Sequence, residues 1–224
     1  MRKISKSIGF FVVFLLSLAV NCYAIPVTVT YNGPDLTKAD YRSSAWAGFY
    51  NLTVNDEQLL GMCDDYATHV NKSNTGWQAE MYTYVDIING NGRWGLPVDD
   101  YNVIGYLFMQ TLDKTNNYSY ISDRSLIADI NQAIWKIHYG SLPLMTARAK
   151  NLYNEAYLMT DYTEWHGYMD ILTPALDSNN QPVSQEFLIR GSGPAPVPEP
   201  ATMLLLGTGL LGLAGVGRKK IKKA

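Results

Sequence analysis

Asp123-Arg124-Ser125-Leu126-Ile127-Ala128-Asp129-Ile130-Asn131-Gln132-Ala133-Ile134-Trp135-Lys136-Ile137-His138-Tyr139-Gly140 is the stretch on which the fold turns. Its isoleucines fall at 127, 130, 134 and 137, the three-and-four spacing that lines one face of a helix. Asp123 suits an N-cap and Gly140 a stop, so a helix is predicted over 124–139. Similar patterns at 98–112, after Pro97, and at 144–159 make it the centre of a helical block. Strand-like sequence lies on both sides. Val27-Thr28-Val29-Thr30-Tyr31 is rich in β-branched residues and is ended by Asn32-Gly33-Pro34. Residues 45–54 and 58–70, joined by a turn at Asn55-Asp56, read as two more strands, and 80–88 as a fourth, broken by Asn89-Gly90-Asn91-Gly92. Two late strands, near 169–172 and 186–190, bring the chain back to sheet. The expected class is α+β: a β-sandwich or barrel with an inserted helical segment. Residues 25–191 have the length of one domain with its own core and contain no repeat.

Outside that domain the two ends are apolar and flanked by cations. Arg2, Lys3 and Lys6 precede an apolar run over 8–20, and small residues stand at −3 and −1 of a cut after Ala24. Residues 1–24 therefore read as a secretory signal peptide. At the other end, 192–200 is SGPAPVPEP, an extended proline-rich linker. The uncharged segment 201–217 follows, an expected transmembrane helix, and 218–224 is a basic cytoplasmic tail in which Arg218, Lys219 and Lys220 stop transfer. The order Val197-Pro198-Glu199-Pro200, apolar helix, basic end resembles the PEP-CTERM sorting signal of Gram-negative bacteria. That resemblance implies an exported protein held in the inner membrane through 201–217. It also implies an exosortase as processing partner, a destination at the cell surface or in the extracellular matrix, and bacteria that make exopolysaccharide and biofilm.

Charge narrows the partners. The chain has 18 Lys and Arg against 20 Asp and Glu; eight of the basic residues and none of the acids lie in 1–24 and 201–224, leaving 10 against 20, or −10, for 25–200. Nucleic acid is excluded as a partner on that balance, since binding it rests on paired Lys and Arg. Sixteen tyrosines and five tryptophans fit either buried amphipathic rings in a β-rich domain or a carbohydrate-binding module that stacks sugars. Of the two cysteines, Cys22 leaves with the signal peptide, so Cys63 stands alone and forms no intramolecular disulfide. It is buried and inert, reactive, or used between molecules.

Two patches carry a second resemblance. Met62-Cys63-Asp64-Asp65 and Ile130-Asn131-Gln132-Ala133-Ile134-Trp135 look like the thioester domains of bacterial surface adhesins. Those domains set a strand cysteine against a helix glutamine, in a hydrophobic-Gln-x-x-hydrophobic-Trp pattern, and acylate an amine on a target. Here the glutamine position is Asn131, and Gln132 comes one residue, about 100° of helix, too late. A crosslink would thus have to join Cys63 to Asn131; the other reading is a scaffold whose crosslink is lost. A cysteine hydrolase would need a histidine, and among His69, His138 and His166 only His138 shares the helix of Asn131. Asp64-Asp65 and Asp99-Asp100 lack the spacing of a calcium loop. The expectation is a non-enzymatic surface or matrix protein, with no catalytic residues, cofactor or metal and with an adhesive or biofilm role. The alternatives are a covalent adhesin and a carbohydrate-binding module.

Overall fold

A computed structural model of the chain describes residues 24–191, apart from 43, 44, 67, 73, 74, 91–95, 141 and 143. The signal peptide up to residue 23, the linker, the transmembrane segment and the basic tail read from the sequence lie outside those residues. Among the described residues no helix is long and apolar enough to cross a membrane.

Six strands close a barrel in the order β1-β2-β3-β8-β7-β4, all neighbours antiparallel, which decides between the sandwich and the barrel. They are β1 (Ile25–Arg42), β2 (Ala45–Val54), β3 (Glu57–Cys63), β4 (Trp77–Tyr82), β7 (Met169–Pro174) and β8 (Phe187–Arg190). Closure gives each strand of the barrel a neighbour on both sides over part of its length. β1 is long enough to pair with β4 through Ile25 to Val29 and with β2 from Val29 onward. Asn32-Gly33-Pro34 does not end it. Register shifts on either side of Pro34 absorb the irregularity as bulges, with Gly33 at φ 104°, and the strand carries on. The turn between β2 and β3 holds Asn55 at φ 46° and Asp56 at φ 70°, the two left-handed residues of a tight hairpin. Asn55 also ties the hairpin to β1: its Oδ1 accepts from the Thr28 amide at 2.9 Å.

Alternation sorts the barrel residues into two cores. Val27, Val29, Leu52, Trp77, Ala79, Leu172, Phe187 and Ile189 fill the inside. Their neighbours Phe49, Met62, Met169, Ile171 and Leu188 face outward, under the helices inserted between β4 and β7. Those helices are α1 (Tyr84–Ile88), α2 (Val98–Met109), α3 (Arg124–Tyr139) and α4 (Ala147–Ala156), with a small hairpin of β5 (Leu112–Asp113) and β6 (Ser119–Tyr120) between α2 and α3. Ile104, Leu107 and Phe108 of α2 and Ile130 and Ile134 of α3 complete the outer core. A 3-10 turn, Thr163–Trp165, lays the Trp165 ring on Gly105, where a Cβ would stand 2.2 Å from Cδ2.

The helices expected over 98–112 and 144–159 are shorter, Val98–Met109 and Ala147–Ala156, and two expected strands change character. The segment 58–70 is strand only as far as Cys63, because Asp64 and Asp65 turn inward to α3. The segment 80–88 changes from strand to helix at Thr83: Asp86 Oδ2 accepts both the Thr83 amide, at 2.8 Å, and its hydroxyl, at 2.7 Å. That reciprocal cap starts a helix where composition alone suggests strand.

Candidate functional site

Cys63 is the last residue of β3, and Phe49–Met62 is the last pair joining β2 to β3. The next pair would be Gly48 with Cys63. In its place stands the carboxamide of Asn131, from α3. Asn131 Oδ1 accepts from the Gly48 amide at 2.7 Å, and its Nδ2 donates to the Cys63 carbonyl at 2.6 Å. One turn on, Trp135 Nε1 donates to the same carbonyl at 2.9 Å. Asn131 is fully buried, and its amide continues the ladder across a gap between two strands that have begun to part. This carboxamide is the wedge that seats α3 on the barrel.

Cys63 and Asn131 are therefore brought together, but through the cysteine's carbonyl. The thiol is buried in the barrel core and donates to the Asp65 carbonyl at 2.8 Å. Burial, and then the charges of Asp64 and Asp65, push it well above its usual range, so it stays a neutral thiol. A neutral, enclosed thiol is a poor nucleophile. Gln132, also buried, turns the other way: its Oε1 accepts from the Thr146 amide at 3.4 Å, at the start of α4. Asn131→Leu is expected to cost about 2–3 kcal/mol, because the buried Gly48 amide loses its acceptor while Cys63 keeps Trp135. Urea unfolding measures this, and a loss under about 1 kcal/mol would mean that water replaces the carboxamide.

His138 meets the aspartate beside the cysteine. Its Nε2 lies 3.5 Å from Asp64 Oδ2, both side chains being enclosed at 4% and 0% exposure. Tyr139 donates to Asp65 Oδ1, and Gln185 Nε2 donates to the Asp65 carbonyl at 3.3 Å. His69 is exposed, and His166 stacks on Tyr84 at 3.5 Å between ring centroids. Neither belongs to this cluster.

A second feature escaped the sequence reading. A cleft of about 690 Å³ opens at the barrel mouth near the β2–β3 hairpin, with Asn51, Glu57, Ser119, Asp170 and Arg190 among its lining. Asp170 alternates with Ile171 and shares the face of Leu172, so its carboxyl sits in the inward register of β7. Burial, reinforced by the charge of Asp86, raises it to about 6. Asp86 is 2% exposed, and its Oδ1 has no hydrogen-bond partner among the described residues. The signal in the sequence is one acid inside an apolar strand, MDILTP, at a position whose alternation demands an apolar residue.

Because the folded protein holds this proton more tightly than the unfolded chain, the carboxyl favours folding most below about pH 4, its unfolded value. The benefit is lost as pH rises through about 6. Asp170→Asn is expected to raise stability at pH 7 by about 2 kcal/mol and to leave it unchanged at pH 3. Urea unfolding at the two pH values reads the difference; equal effects at both would mean that the carboxyl is solvated.

Comparison with known proteins gives one match: residues 196–219 fit the PEP-CTERM protein-sorting motif. No curated protein and no solved structure matches the chain, and nothing found supports the likeness of its two central patches to thioester domains. The sorting motif implies an exported protein, recognised by an exosortase and sorted at the membrane of a Gram-negative bacterium.

Proposed function

We propose that the protein is a non-enzymatic binding component of the cell surface or extracellular matrix, with an adhesive or biofilm role. The observation that carries this reading is the pairing of the sorting motif with a domain whose thiol and neighbouring carboxamide both serve the fold. Val197, Pro198, Glu199 and Pro200 lie in the matched segment and are the residues an exosortase would read, while Arg218, Lys219 and Lys220 would hold the tail on the inner face. The lipid bilayer is engaged through 201–217 before processing, and exopolysaccharide or another surface ligand afterwards. The acidic balance of the exported part keeps it in solution in a crowded matrix.

The test is to recover the protein from cells with and without their exosortase and to measure intact mass. Release from the membrane with a mass ending near the Pro-Glu-Pro motif, only when the enzyme is present, is the expected outcome. Retention of the whole tail in both strains would overturn the sorting reading. The same measurement addresses the covalent alternative, which the closeness of Asn131 to Cys63 keeps in view. A crosslink expels ammonia and lowers the mass by about 17 Da. The expected protein shows no such loss, and its Cys63 is alkylated only after unfolding, as suits a fully buried thiol.

A further inference from the structure

We propose that the barrel-mouth cleft binds a saccharide carrying a primary ammonium group, an amino sugar, with Asp170 as the carboxylate that receives the ammonium. The inference deepens the reading of the domain as a binding module and does not depend on its route of export. Size comes first: about 690 Å³ accommodates one or two sugar rings. Charge comes second. Two carboxylates of the cleft, Glu57 and Asp170, are backed by the buried Asp86, and the one cation among the described lining residues is Arg190. Arg190 is already committed outward, its Nη1 donating to the Tyr118 carbonyl at 3.0 Å. Among the described residues no side chain donates a hydrogen bond or ion pair to Asp170. Negative charge enclosed with no counter-charge is costly, and an entering ammonium supplies what is missing.

Shape supports the same ligand. Gly191 ends the wall beside Asp170, and a Cβ there would stand 3.2 Å from both carboxyl oxygens and 2.8 Å from the Gly167 carbonyl. The absent side chain leaves the carboxyl open to the cleft. Asn51 and Ser119 offer a carboxamide and a hydroxyl to sugar hydroxyls, and Leu59, Met81 and Ile189 form an apolar floor for the ring's C–H face. Tyr120, pinned by its hydroxyl to the Leu60 carbonyl at 3.2 Å and kept neutral by burial, closes one side. A half-buried carboxyl that lines a cleft of about 690 Å³ and is set among other acids is placed for binding rather than for folding.

The test is titration of the purified exported protein at pH 7, followed by ¹⁵N chemical shifts, with glucosamine, N-acetylglucosamine and putrescine as probes. Acetylation removes the ammonium and keeps the ring; putrescine keeps the ammonium and removes the ring. Saturable shifts at Asn51, Asp170 and Arg190 with glucosamine are expected, with affinity at least about tenfold above either control. Asp170→Asn, a variant expected to fold more stably, should lose about tenfold in affinity. Lowering the pH to 5, below the value of Asp170, should cost the wild type about as much and the variant little. The groups facing Asp170 that bear on this are Asp86, Glu57, Arg190 and the Tyr120 phenol. Equal binding of the acetylated sugar, putrescine matching glucosamine, or an unaffected Asp170→Asn would each overturn the assignment. Surface delivery found together with a silent titration would remove the ligand and leave the sorting reading standing.

Discussion

Gly48→Ala is expected to cost at least about 4 kcal/mol and to leave little folded protein at 37 °C. Two penalties add. Gly48 has φ 123°, where an L side chain is strained, and its Cβ would lie 2.3 Å from the Lys38 carbonyl oxygen and 2.7 Å from the Ala39 Cα. Both obstacles are backbone, so no rotamer change relieves them. Glycine is needed here because three demands meet at one residue. β1 closes against it through the Ala39–Gly48 pair, β2 bends away from β3, and the amide must reach Asn131. Thermal unfolding followed by circular dichroism is the check, and a variant within about 1 kcal/mol of wild type would show that the β1 bulge can move aside. Gly33→Ala is the control: φ is also positive, 104°, but nothing lies within 4 Å of its Cβ. Its loss should be about 1 kcal/mol, the backbone strain without the overlap.

His138→Ala is expected to cost about 3 kcal/mol, because it leaves the buried Asp64 carboxyl without the polar group that faces it. Asp64 is fully buried, and among the described residues no hydrogen bond reaches either of its carboxyl oxygens, so His138 Nε2 at 3.5 Å is the polar neighbour the structure gives it. The pair Asp64→Leu with His138→Leu should recover most of the loss, since removing both polar groups leaves neither buried without its neighbour. Chemical denaturation of the two single variants and the double variant measures the coupling. Single losses that simply add in the double variant would show that the two groups do not depend on each other.

Much of this architecture was readable from the residues, for reasons that differ by element. The helix Arg124–Tyr139 was placed to both ends because its isoleucines, Asp123 and Gly140 all say the same thing; Asp123 Oδ1 indeed accepts from the Leu126 amide at 2.9 Å. β2 was equally legible, since the Asn55-Asp56 turn fixes where it must stop. The five-residue helix Tyr84–Ile88 was not, being too short for any period to show. The closeness of Asn131 to Cys63 was implied by the resemblance to thioester domains, and counting along the helix chose Asn131 over Gln132. Which atom of Cys63 the carboxamide meets did not, because carbonyl and thiol are a few ångströms apart on one residue and periodicity has no such resolution. Asp170 was missed for the opposite reason: a lone acid in an apolar strand has no pattern to belong to.

The position of β8 has a mechanical consequence. The chain leaves the barrel from this strand, which lies between β3 and β7, and Arg190 pairs with Met169 next to the exit. A pull on the tail, such as flow on a protein held by its C-terminus, runs along β8 and strains the ladders on both flanks at once rather than peeling them bond by bond. Resistance to drag then depends on the speed of rupture and not on equilibrium stability. In a molecule held by its C-terminus, Phe187–Arg190 are the first strand to take the load.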